Sequence, residues 1–146
     1  MNTVAEELEN IIAGSVPRLS AIGETDASSS SGPGKWSKKQ ELGHLIDSAV
    51  NNHIRFVRLQ LENRLELPGY QQEEWIRVER YQDRLWQEIV ATWEIFNRNL
   101  AWIIRHVDPR CLRNLWRSPE GTDVDLEFVI RDYVVHLRHH LDHVLL

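Results

Sequence analysis

Asp132-Tyr133-Val134-Val135-His136-Leu137-Arg138-His139-His140-Leu141-Asp142-His143 reads as a helix with imidazoles along one edge. Residues four apart lie on one helical face, one turn above the other, so His136 and His140 project together. At about 100° per residue, Leu126, Ile130, Tyr133, Val134, Leu137, Leu141 and Val144 fall into a single apolar arc, which predicts a helix over 125–145. Asp123 or Asp125 is its expected N-cap. His140 lies at the edge of the arc, His136 slightly further round, and His139 points well away. His136, His139 and His143 also share a face and form a second, lower-ranked triple.

Upstream, the pattern predicts three more long helices and no strand. The first covers 2–22, with Val4, Leu8, Ile11 and Ile12 on one side and Gly14 and Pro17 as expected break points. The second begins at Ser37, where Ser37 and Gln40 fit a capping box. Its apolar stripe is Leu42, Leu45, Ile46, Ala49, Phe56 and Val57, and it is expected to fray near Glu62. The third runs over 83–107, with Trp86, Trp93, Leu100 and Val107 at intervals of seven, and Asp108-Pro109 stops it. Glu73 to Tyr81 reads as a short helix and Leu67-Pro68-Gly69-Tyr70 as a turn. Residues 23–35 are rich in serine and glycine and read as a flexible loop inside a single domain, 1–146. Amphipathic helices of this kind pack as an all-α four-helix bundle, and the two long connectors permit crossovers.

Composition narrows the function. The apolar share of 42% and charged share of 27% are those of an ordinary globular domain. A net charge of -5 with no basic stripe speaks against nucleic acid and anionic membrane surfaces. No apolar run approaches the ~20 residues of a membrane span, and the acidic N-terminus lacks a signal pattern. The single cysteine, Cys111, excludes an intrachain disulfide, fits a reducing cytoplasm and is read as structural. The six tryptophans suit core packing or a ligand pocket.

On the second helix, His44 falls in a polar strip with Ser48, Asn51 and Arg55, and Asp47 is nearby. That strip suits either water or a polar cleft. His53 lies within the apolar stripe and reads first as a neutral core histidine and second as a ring that orients a ligand. His106, near the end of the third helix, complements the helix dipole and is given no site.

Trp36-Ser37, Glu41, His44, Asp47, Asn51-Asn52-His53 and Arg55-Phe56, then Tyr81 to Trp86, Trp93 with Asn97, and finally His136-Leu137-Arg138-His139-His140-Leu141 resemble the DinB-like metal-binding family from Trp36 onward. The resemblance implies a four-helix bundle with a long crossover connection and a divalent metal, nickel or zinc, held by His44, His136 and His140. It departs after His140, where Leu141, Asp142 and His143 replace the Gly-Gln pair of many relatives, so the groups supporting the ligands are expected to differ, with His143 a candidate among them.

Three neutral imidazoles leave such an ion its charge and an open position, where a water or a thiol loses its proton more easily. The expectation is a metal-dependent enzyme acting on a small molecule, either a hydrolase or a transferase of low-molecular-weight bacterial thiols; the resemblance also implies a homodimer. A non-catalytic, metal-stabilised binding or stress-response protein is the alternative. Asp47 is expected to orient a ligand, take a proton or face solvent. Asn51 and Arg55 suit a polar or anionic substrate or an exposed face. Tyr70, Trp75 and Tyr81 suit a cover over the pocket mouth or simple packing.

Overall fold

The computed structural model describes residues 1–146. In chain order the helices are α1 (Asn2–Ser20), α2 (Glu24–Ser28), α3 (Lys38–Arg58), α4 (Gln72–Glu79), α5 (Trp86–Arg105) and α6 (Leu126–Leu145). Three short strands, β1 (Arg64–Glu66), β2 (Leu115–Arg117) and β3 (Asp123–Asp125), lie in the connectors. No helix is long and apolar enough to cross a membrane.

The four long helices, α1, α3, α5 and α6, form the bundle. α1 packs on α5 and α6, and α3 packs on the same two, so α1 and α3 take opposite corners. Direction follows from contacts at their ends. Arg105, at the end of α5, pairs with Glu9 near the start of α1 at 2.7 Å. Trp86, at the start of α5, donates its indole N–H to the Leu19 carbonyl near the end of α1 at 2.8 Å. Those two helices are therefore antiparallel. α3 and α6 are antiparallel too, since Lys38 donates to the Val144 carbonyl at 3.0 Å. α3 and α5 run parallel: Ser37 donates to Gln82 before their starts, and Asp108 N–H donates to Gln60 beyond their ends. The chain thus runs up, down, down, up. A parallel pair of successive long helices requires the connector at 59–85 to travel back the length of the bundle, which is the expected long crossover.

The core follows from the apolar arcs. Leu126, Ile130, Tyr133, Val134, Leu137, Leu141 and Val144 of α6 are buried as expected, joined by Val129. They meet Leu42, Leu45, Ile46, Ala49 and Phe56 of α3 and Trp86, Ile89, Trp93 and Leu100 of α5. Burying such side chains contributes roughly 1.5–3 kcal/mol each. Tyr133 donates to Asn97 at 2.5 Å, so the one buried phenol at the centre of the bundle is satisfied. The Ser37–Gln40 capping box is present in full, and Asp125 caps α6.

Three expectations are corrected. First, strands exist: β1 pairs parallel with β2, and β2 antiparallel with β3. Each has only three residues, too few for an alternation to show, and β1 and β2 pair across some fifty positions of sequence. Secondly, residues 23–35 contain α2 and are tied down rather than free. Ala27 is fully buried, and Glu24 accepts the Trp86 backbone N–H at 2.9 Å while pairing with buried Lys39. A carboxylate there caps the positive end of α5. Thirdly, α1 continues through Gly14 and Pro17 to Ser20, so the donor that Pro17 lacks does not break the helix at that point, and the helix ends one turn later.

Candidate metal centre

Two antiparallel helices bring the imidazoles together. The capping box sets the start of α3, placing Glu41 and His44 one turn apart on the side toward α6. His44 is fully buried there, so the polar strip faces a cleft between helices and not water. His44 Nε2 lies 3.3 Å from His136 Nε2, with neither ring meeting a carboxylate. His140 closes the group, with ring centroids 4.7 Å from His44 and 4.5 Å from His136. One ligand atom from each of the three lies within 4.8 Å of the others.

The 3.3 Å between the His44 and His136 nitrogens fits a shared metal. Zinc–imidazole bonds of about 2.0–2.1 Å at tetrahedral angles separate two ligand nitrogens by about 3.3–3.4 Å. Burial, then the charges of His140 and His136, holds the His44 pKa down to about 4. Burial and His140 do the same for His136, also to about 4. Both rings are therefore neutral near pH 7 and able to offer lone pairs.

Glu41, quoted in the sequence only among the residues that carry the resemblance and given no role there, joins the cluster. Its Oε1 accepts a hydrogen bond from His140 Nδ1 at 2.6 Å and lies 3.5 Å from His143 Nδ1. Burial pushes the Glu41 carboxyl up, but the hydrogen bonds and charges of His140 and His143 together outweigh it and hold it below the ordinary carboxylate value. With its proton on Nδ1, His140 keeps Nε2 free for the centre, the usual carboxylate–histidine–metal relay. The signal was present: a carboxylate three residues before His44 on the same helix. His143, half exposed, stands beside both Glu41 and His140, and the ligand atoms of these three lie within 4.8 Å of one another; His139 is exposed, and the expected triple of His136, His139 and His143 does not assemble. His53 is half-buried and takes no part in the cluster, and Val57 beside it is also partly exposed; the apolar stripe of α3 ends at Phe56.

The remaining candidates divide. Asp47 is buried, with Tyr81 donating to its Oδ1 at 2.6 Å and its Oδ2 without a partner. Burial raises the carboxyl to about 6, opposed by the Tyr81 hydrogen bond. Tyr81 reaches Asp47 because its ring lies flat on Gly43, where a Cβ would come within 2.3 Å of Tyr81 Cδ2. Trp36 covers His44 at 5.3 Å between centroids and donates to Glu73 on α4. Tyr70 and Trp75 pack with tilted rings, 5.0 Å between centroids, in the crossover. Cys111, half-buried, donates weakly to the Gln60 carbonyl at 3.6 Å and lies away from the cluster.

A cavity of about 620 Å³ runs between α3, α6 and the crossover, reaching His136 at one end and Trp116 of β2 at the other. Ser48, Asn52, Arg55, Tyr70 and Asp132 are among the residues lining it. A second cavity, about 740 Å³, opens on the far side at Glu41 and His143 and touches none of the three clustered imidazoles.

The fold has a solved counterpart. The chain matches the structure of YfiT from Bacillus subtilis with a TM-score of 0.86 at 20% identity, over 97% of this chain and 82% of that one. The fold is the YfiT-like four-helix bundle. YfiT is described as “a probable metal-dependent hydrolase with an unusual four-helix bundle topology”, and the up-down-down-up order is how the present YfiT-like bundle departs from simple alternation. No family model matches the chain. Among curated proteins, it is 28% identical over 112 residues to one from Oceanobacillus iheyensis and 26% identical over 113 residues to one from Bacillus mycoides. Both bear the name “Putative metal-dependent hydrolase”. The matches cover 76% of this YfiT-like chain but 64% of each relative's length.

Proposed function

We propose that this protein is a metal-dependent hydrolase whose ion, zinc or nickel, is held by His44, His136 and His140. The observation that carries the reading is the convergence of three imidazoles from two helices, one of them, His136, forming the end of a substrate-sized cavity. The names of the relatives favour hydrolysis over thiol transfer.

When bound, the ion supplies Lewis acidity and an open position at which a water ionises near pH ~7. The chain's own residues do the rest. Glu41 keeps the Nδ1 proton on His140 and so fixes which nitrogen faces the centre. Trp36 and the Tyr81–Gly43 contact shield the buried His44 side from solvent. Asp132 stands one turn before His136 and lines the same cavity, so it is the carboxylate that would accept a proton at that end of it.

The test is metal analysis of purified protein, followed by turnover of a panel of activated esters and amides with and without one equivalent of zinc or nickel, each with and without a small thiol. Zinc- or nickel-dependent hydrolysis that is lost in His136→Ala supports the reading. Turnover only when thiol is present assigns the site to thiol transfer instead. A protein that takes up no stoichiometric divalent ion contradicts both.

A further inference from the structure

Arg55 is placed unlike most arginines of this chain. Arg58, Arg64, Arg98 and Arg131 are each ion-paired, with Glu62, Asp123, Glu94 and Glu127. Arg55 is half-buried, its guanidinium carbon 4.1 Å from the centroid of the Trp116 ring. Its hydrogen bond is from Nη1 to Asn52 Oδ1 at 3.2 Å, and it forms no ion pair. Glu120 and Asp132 line the same cavity, and neither comes within ion-pairing distance of it. A guanidinium has five N–H donors in a planar fork, so most of this fork stands free in the cavity.

Burial of an unpaired cation is costly and is sustained here by the aromatic face and the Asn52 carbonyl. Such a half-desolvated, pre-oriented fork binds a planar oxyanion through two parallel hydrogen bonds more strongly than a solvated lysine would. The position also carries information. Arg55 stands eleven residues after His44 on α3, about 16 Å by helical rise, and both His136 and Arg55 face the one cavity. A ligand engaging both must be elongated.

We propose that Arg55, backed by Trp116 and Asn52, is the recognition site for a carboxylate at the end of the substrate remote from the bond that is cut. The substrate class is then an elongated ester or amide with a terminal carboxylate. Ser48 and the Tyr70 hydroxyl line the cavity between the two ends and suit the polar middle of such a molecule. This assignment rests on the metal-centre reading above, because the centre fixes the other end of the ligand.

The experiment uses linear hydroxamic acids, whose hydroxamate binds the metal, carrying either a terminal carboxylate or the matching carboxamide across a graded number of methylenes. Affinity for the zinc-loaded protein is measured by calorimetry and by Trp fluorescence. At the best spacer length the carboxylate should bind about tenfold or more tightly than the carboxamide. That advantage should vanish in Arg55→Gln and return in part in Arg55→Lys. Acetohydroxamate, too short to reach Arg55, should bind wild type and Arg55→Gln alike, which also shows that the variant is folded. If the hydroxamates bind but the carboxylate confers no advantage, the Arg55 assignment is overturned and the metal centre stands. If acetohydroxamate itself fails to bind the zinc-treated protein, the metal-centre reading fails, and the Arg55 assignment with it.

Discussion

His44 and His136 are neutral because burial and their neighbours make protonation costly, and that has a direct consequence for stability. Both have a folded pKa of about 4 against an ordinary value of 6.5. A depressed folded pKa means that the unfolded chain takes up protons first on acidification. The stability contributed by the neutral rings is complete above pH 6.5 and is lost as pH falls toward 4. In chelator, the melting temperature should therefore drop across that window, and a His44→Gln, His136→Gln double variant should show a flatter slope. Equal slopes would count against the burial argument. Glu41→Gln should keep the fold while weakening zinc binding by about 10–100-fold, measured by competition with a chromophoric chelator. Gly43→Ala should cost about 1–3 kcal/mol in urea denaturation, since the new methyl must displace the Tyr81 ring that reaches Asp47.

At the scale of elements, α3 is the part on which the site depends. Its capping box fixes where the helix begins and therefore where Glu41 and His44 face. Ser37→Ala should cost about 1 kcal/mol, read as a lower denaturation midpoint at unchanged slope. The long helices, their caps and the inward edge of α6 were legible because each is written in local periodicity. The role of Glu41 and the burial of Asp47 were not. Both depend on layers that periodicity does not encode: α6 laid antiparallel on α3, and the crossover folded back so that Tyr81 and Tyr70 cover the polar strip. A strip of His44, Ser48, Asn51 and Arg55 looks the same in sequence whether it meets water or a second layer. The three-residue strands escaped for a related reason, since their pairing is the product of tertiary approach and not of local preference.

At the scale of the whole molecule, the up-down-down-up order makes α3 and α6 antiparallel neighbours and leaves the returning crossover to wall the cavity. The cluster joins the start of α3 to the end of α6, so an ion bound there ties together segments that are about ninety residues apart in sequence. Zinc at one hundred times its dissociation constant should add about 2.7 kcal/mol to stability, seen as a chelator-reversible rise of several degrees in melting temperature. Asp132→Asn should leave that rise intact while lowering turnover by about 10²–10⁴-fold. The most direct test is X-ray absorption on the protein loaded with one equivalent of zinc. Scattering from three imidazoles at about 2.0–2.1 Å, with one exchangeable light-atom ligand, is the predicted result. Fewer than three imidazoles, or a fourth protein ligand closing the sphere, would contradict the account.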